Sequence, residues 1–117
     1  MNIGMNLQQI IDQLNLTVLT ASRDFTYVTP MGGYSSDLLS CVMAGAKKGY
    51  LWITLQAHLN IVALAALNEV AAIIITESAQ PDAASIAKAN QQGVILLSTS
   101  QATYVVSGKL WEMGIRN

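Results

Sequence analysis

The chain is poor in charge, in cysteine and in long apolar runs, and each shortage narrows what it can be. Of its 117 residues only 11% are charged, about half the usual globular share. Six Lys/Arg stand against seven Asp/Glu, for a net charge of −1. Lys47-Lys48 is the only basic pair of note. Nucleic acid and anionic lipid both require a concentrated positive patch, so neither is an expected partner. Cys41 is the single cysteine, too few for an internal disulfide, a zinc site or an iron–sulfur cluster. The longest apolar run, Ile61 to Leu67, has seven residues, against the roughly 20 a membrane-spanning helix needs. The opening MNIGMNLQQIIDQL is amphipathic and does not read as a secretory signal. A soluble, cytoplasmic chain is the expectation.

Catalytic signatures are missing too. There is no G-x-x-x-x-G-K-[ST] phosphate loop, no G-x-G-x-x-G and no G-x-S-x-G nucleophile elbow. His58 is the only histidine. As a general base it would need an orienting carboxylate, for which Asp37 or Glu77 could serve, and a reacting group within reach. Three residue types without a motif do not make a triad. No catalytic residue, metal or cofactor is assigned.

What is present is 52% apolar and long enough to bury one core, so residues 1–117 are read as one domain. Asn6 can cap a helix whose Leu7, Ile10, Ile11 and Leu14 make one stripe. Thr17 to Thr20 is β-prone, and Phe25 to Thr29 alternates until Pro30, as a short edge strand would. Gly32-Gly33 reads as a tight turn. The next helix has Ser35 or Ser36 as cap, Asp37 near its positive end, and a buried stripe of Leu38, Leu39, Val42, Met43 and Ala46. Cys41 falls on its buried side, and Gly49 ends it.

Three strand–corner–helix units follow. Tyr50 to Leu55, Ala71 to Thr76 and Val94 to Thr99 are apolar strands, and the helices after them run from just after His58 to about Asn68, Asp82 to Gln92 and Tyr104 to Met113. Trp52, Ile73 and Ile95 hold similar places, 21 and 22 residues apart. Continuous apolar strands alternating with helices predict an α/β fold: a mainly parallel sheet of four to five strands with helices on both faces.

In such a sheet ligands bind beyond the carboxyl ends of the strands. The corners there hold Gln56 and His58, then Thr76 and Glu77, then Ser98, Thr99 and Gln101, with Gly33, Tyr34 and Asp37 beside them. These ten are the candidate ligand-binding residues. Polar caps and loops account for much of the same set without any ligand. The helix after His58 is apolar nearly all round, which fits a central helix as well as a subunit interface.

The run Gly33-Tyr34-Ser35-Ser36-Asp37-Leu38-Leu39-Ser40 resembles short stand-alone proteins of the DRTGG-domain family. So do Trp52-Ile53-Thr54, Gln56, His58, Asn60-Ile61-Val62-Ala63, Ala72-Ile73-Ile74-Ile75, Pro81 and Leu97-Ser98-Thr99. The resemblance covers about Gly32 to Gly114. It implies an α/β domain without catalytic machinery of its own, akin to the N-terminal part of HPr kinase/phosphatase and to regulatory or dimer-forming modules beside CBS domains. It also implies an accessory role with a redox-complex partner, such as iron-only hydrogenase components. The name-giving residues are not reproduced: His58-Leu59-Asn60 stands near the aspartate–arginine position and Glu77-Ser78-Ala79 near the glycines. The expectation is therefore a non-catalytic regulatory module that forms a homodimer. The alternative is a sensor of a small molecule, a nucleotide among the candidates, at the sheet edge.

Overall fold

A computed structural model describes residues 4–116. Helix α1 (Leu7–Leu14) opens with a reciprocal cap, in which Asn6 accepts the Gln9 N–H and the Gln9 side chain accepts the Asn6 N–H. Such a cap stabilises a helix by about 1 kcal/mol. It ends at Asn15, which is in the left-handed conformation. Strand β1 (Thr17–Val18) follows, shorter than the β-prone run.

A mainly parallel sheet of five strands, flanked by helices, is the core of the fold, as the apolar runs predict. Its remaining strands are β2 (Gly32–Ser35), β3 (Tyr50–Thr54), β4 (Ala72–Ile75) and β5 (Leu96–Ser98), in the order β1-β5-β4-β3-β2. The pairs β2–β3, β3–β4 and β4–β5 are parallel, and β1 alone is antiparallel, Thr17 facing Ser98. Trp52 does pair with Ile73, but Ile73 faces Leu96, one residue beyond the predicted Ile95.

Helices α2 (Leu39–Gly45), α3 (Asn60–Asn68) and α4 (Ala83–Gln92) cover one face, packing Val42, Ile61, Val62 and Ala89 on Trp52, Ile73, Ile75 and Leu96. Helices α1 and α5 (Thr103–Glu112) cover the other, with Leu7, Ile10, Val106 and Leu110 on Leu51, Ile53, Ile74 and Leu97. Each large aliphatic side chain so buried contributes about 1.5–3 kcal/mol. Two covered faces explain why β3, β4 and β5 read as unbroken apolar strings rather than as alternations.

The segment before the first parallel pair departs from expectation. Phe25–Tyr27 is a single 3-10 turn, not a strand. Asp24 caps it at the Thr26 N–H, and the turn drives Phe25 into the α1 side of the core at 4% exposure. Gly32-Gly33 is no turn but the first half of edge strand β2, paired with Tyr50 and Leu51.

Helix α2 is shorter than predicted, and neither Ser35 nor Ser36 caps its first turn; the flanking residue is Leu38. Asp37 is drawn instead to β3, where its carboxylate accepts Thr54 Oγ1–H (2.7 Å) and the Leu55 N–H (2.9 Å). With the helix register shifted, only Val42 and Ala46 of the predicted stripe are buried; Leu38 and Met43 are exposed and Leu39 is half-buried. Cys41 is exposed as well, not buried. The helix stops at Gly45, where the Asn68 amide donates to the carbonyls of Val42, Met43 and Ala46. Gly49, at φ 81°, belongs to the turn into β3, its N–H bonded to the Glu69 carbonyl. No helix among the described residues is long and apolar enough to cross a membrane.

Candidate functional site

Parallel β2, β3, β4 and β5 bring their carboxyl ends to one edge, but the polar residues there divide into separate groups. Asp37 and Gln56 form one corner with buried Thr54: besides the Asp37 bonds, Gln56 Nε2 donates to the Asp37 carbonyl at 3.1 Å. His58 is exposed just before α3, and its side chain has no hydrogen-bond partner among the described residues. Its suggested orienting carboxylates are engaged elsewhere, Asp37 with Thr54 and Glu77 with α5.

Two further candidates lie apart. The Tyr34 ring packs against Gly45, where an added Cβ would come within 2.6 Å of Cζ. Gly33 lines a separate cavity of about 120 Å³ with Ser35, Ile53, Ser107 and Trp111.

Thr76 and Glu77 bind the loop after β4 to the loop after β5. Buried Thr76 shares a 2.6 Å hydroxyl–hydroxyl bond with Thr103, and the Glu77 carboxylate accepts the Thr103 N–H at 2.9 Å. The Glu77 N–H donates to the Gln101 carbonyl and the Ser78 N–H to that of Thr99. Glu77 and Ser78 stand at φ 61° and 60°, left-handed positions in succession where glycine would fit without strain.

Ser98, Thr99 and Gln101 do meet, in a cleft of about 570 Å³. Ser98 to Gln101 make one wall, Ser78 and Gln80 another, and Gln13 to Asn15 with Thr17 a third, with Lys109 at the rim. Gln101 braces it: its Nε2 donates to the Leu14 carbonyl (2.9 Å) and to Thr99 Oγ1 (3.1 Å), and its Oε1 accepts from Lys109 Nζ (2.7 Å). Gln13, Asn15, Thr17, Ser78, Gln80, Ser100 and Lys109 were outside the sequence-based set. Only the antiparallel docking of β1 carries Asn15 and Thr17 to this edge, and no local pattern announces that. Among the described residues no group of His, Cys, Asp and Glu could hold a metal ion.

Fold and edge together define a small, mainly parallel α/β domain whose bends after β4 and β5 are bonded to one another beside an open cleft. A family model, the DRTGG domain, matches residues 42–113, and the chain belongs to that family. A similar solved structure comprises the CBS and DRTGG domains of the regulatory region of Clostridium perfringens pyrophosphatase, complexed with the activator diadenosine tetraphosphate. It shares the fold at a TM-score of 0.76 and 14% identity over 96% of this chain. The chain spans 50% of that structure's length. No curated protein sequence matches it.

Proposed function

We propose that this chain is a non-catalytic regulatory or accessory module that works as a homodimer, joined through the outer face of α2 and α3. One observation carries the reading. Leu59, Ala63 and Leu67, spaced by four, are exposed along α3, with exposed Leu38 and Met43 alongside on the α2 side. Leu67 is 69% and Met43 57% exposed. Between the helices runs a mostly apolar groove lined by Leu39, Met43, Ala63, Leu64 and Leu67, with Asn60 its one polar residue. A monomer would keep this face in water, and a contiguous apolar patch of this kind marks an interaction surface. Small Ala63 permits close approach of a second helix. The regulatory part of the reading is supported by membership of the family and by the region named in the Clostridium structure. The non-catalytic part of the reading rests on polar edge groups that engage their neighbours and on His58, whose two suggested orienting carboxylates bond elsewhere. An accessory role beside redox complexes such as iron-only hydrogenase rests on the family resemblance alone.

Sedimentation and light scattering at micromolar concentration test it. The mass should be twice that of the 12.5 kDa chain. Met43→Lys with Leu67→Lys should give a monomer with an unchanged circular-dichroism spectrum. A wild-type monomer that is insensitive to concentration ends the dimer claim.

A second reading is favoured by the cleft at Ser98, Thr99 and Gln101: a sensor of a small molecule, with nucleotides the candidate class. Its volume lies within the 300–1,000 Å³ typical of ligand sites. Of the ten sequence-based residues these three then carry the binding, Thr76 and Glu77 bond across to Thr103, and Gln56, His58, Asp37, Tyr34 and Gly33 lie away from the cleft.

A further inference from the structure

We infer that the cleft beside Ser98–Gln101 is built for a phosphorylated polyhydroxy compound, its phosphate on Lys109 and its hydroxyls on the polar walls. The inference rests on the sensor reading and names the chemistry of that same site.

Its position comes from the path of the chain. The segment leaving β4 turns to the face covered by α4, whereas the segment leaving neighbouring β5 turns to the face covered by α5. Where adjacent parallel strands send their connections to opposite faces, a crevice opens at their carboxyl ends. Thr76, Thr103 and Glu77 close the upper part of it by bonding across. The free space is displaced toward β5 and the end of α1.

Apart from Leu14 and Lys109 its lining is of one chemical kind. Ser, Thr, Asn and Gln side chains present hydroxyls and carboxamides, groups that both donate and accept. A ligand rich in hydroxyls can satisfy such walls, and an apolar one cannot. Among the described residues no carboxylate and no aromatic ring lines the cleft. The one formal charge is Lys109, whose ammonium is aimed by the neutral Gln101 carbonyl oxygen at 2.7 Å and has no ion pair among the described residues. Glu112 flanks it in the adjoining groove. One of the three ammonium donors is thus engaged with a neutral acceptor, and the positive charge is available to an anion. With no ring to stack on, a nucleobase gains nothing inside, so the sugar-phosphate portion of a ligand is the part held.

Amide NMR spectra of the full chain, titrated with ribose 5-phosphate, inorganic phosphate, ribose and AMP, test this. Ribose 5-phosphate should shift the Asn15, Ser100 and Gln101 amides saturably, and bind about tenfold tighter than ribose. Lys109→Gln should erase that advantage and Lys109→Arg keep most of it. Equal binding of ribose and ribose 5-phosphate overturns the assigned chemistry and leaves a sensor for a neutral ligand. Saturable shifts confined to Gln56 and His58 overturn this cleft and leave a sensor at another corner. No saturable shift with any probe up to about 10 mM overturns the inference; a thermal-shift screen of nucleotides then decides the sensor reading by itself.

Discussion

The Glu77 carboxylate accepts the Thr103 N–H at 2.9 Å, holding the first turn of α5 from the far end of β4, 26 residues away. Because α5 has no side-chain cap of its own at Ala102, this long-range contact supplies one. Glu77 does so from a left-handed backbone, which costs a residue with a Cβ about 1 kcal/mol. Glu77→Ala keeps the strain and loses the cap, so stability should fall by about 1 kcal/mol. Glu77→Gly loses the cap but relieves the strain and should be nearly neutral, and Ser78→Gly should be stabilising. Urea midpoints decide it; equal losses for the Ala and Gly variants of Glu77 would remove the strain argument.

Asp82 caps α4, accepting the Ser85 N–H at 2.8 Å, and that bond holds its carboxyl below the 3.8 of a free aspartate. Asp24 is lowered in the same direction by the Thr26 hydroxyl and then by the Thr26 amide. A carboxyl with a depressed folded pKa adds stability that is whole above the unfolded value and is lost as pH falls through the folded one. Urea midpoints should therefore hold from about pH 6 to 5 and decline below about pH 4. Asp82→Asn, which keeps an accepting oxygen without the titration, should flatten part of that decline. A variant that tracks the wild type throughout would show that the cap is not what titrates.

Gly45 ends α2 directly against the Tyr34 ring, with no room for a Cβ. Helix propensity alone would make Gly45→Ala stabilising by at most about 1 kcal/mol, since Gly45 is the last residue of α2. Overlap with the ring opposes it at about 1–3 kcal/mol, so the variant should be destabilised. Combined with Tyr34→Ala, the same change should cost less than it does alone, a coupling visible in a double-mutant cycle. Additive losses would place the cost of Gly45→Ala somewhere other than this contact.

The three strand–helix units were legible chiefly from their strands, and one of the helices from its caps as well. Asp82 and Gly93 bracket α4, and β3, β4 and β5 are apolar on both faces. The earlier part was not, for reasons of distance. Asp37 has the sequence of a helix-start residue, yet a hydroxyl and an amide seventeen and eighteen positions later claim its carboxylate. Gly32 and Gly33 have no side chains to set a pattern, so only pairing with Tyr50 and Leu51 makes them a strand. The same limit governs the cleft. Ser98, Thr99 and Gln101 are read from their place at the end of a strand, whereas Asn15, Thr17 and Lys109 reach it only through tertiary docking.

Strand β1 joins the sheet through two residues, helped by the Leu96 N–H donating to Thr20 Oγ1, across more than seventy positions of chain. So short a seam is among the first parts of a structure to unzip in a local opening. The cleft borrows a wall from that very segment, at Asn15 and Thr17. Anything lodged there would act as a latch on the amino-terminal arm, and occupancy would be felt at α1 without any change in the parallel strands.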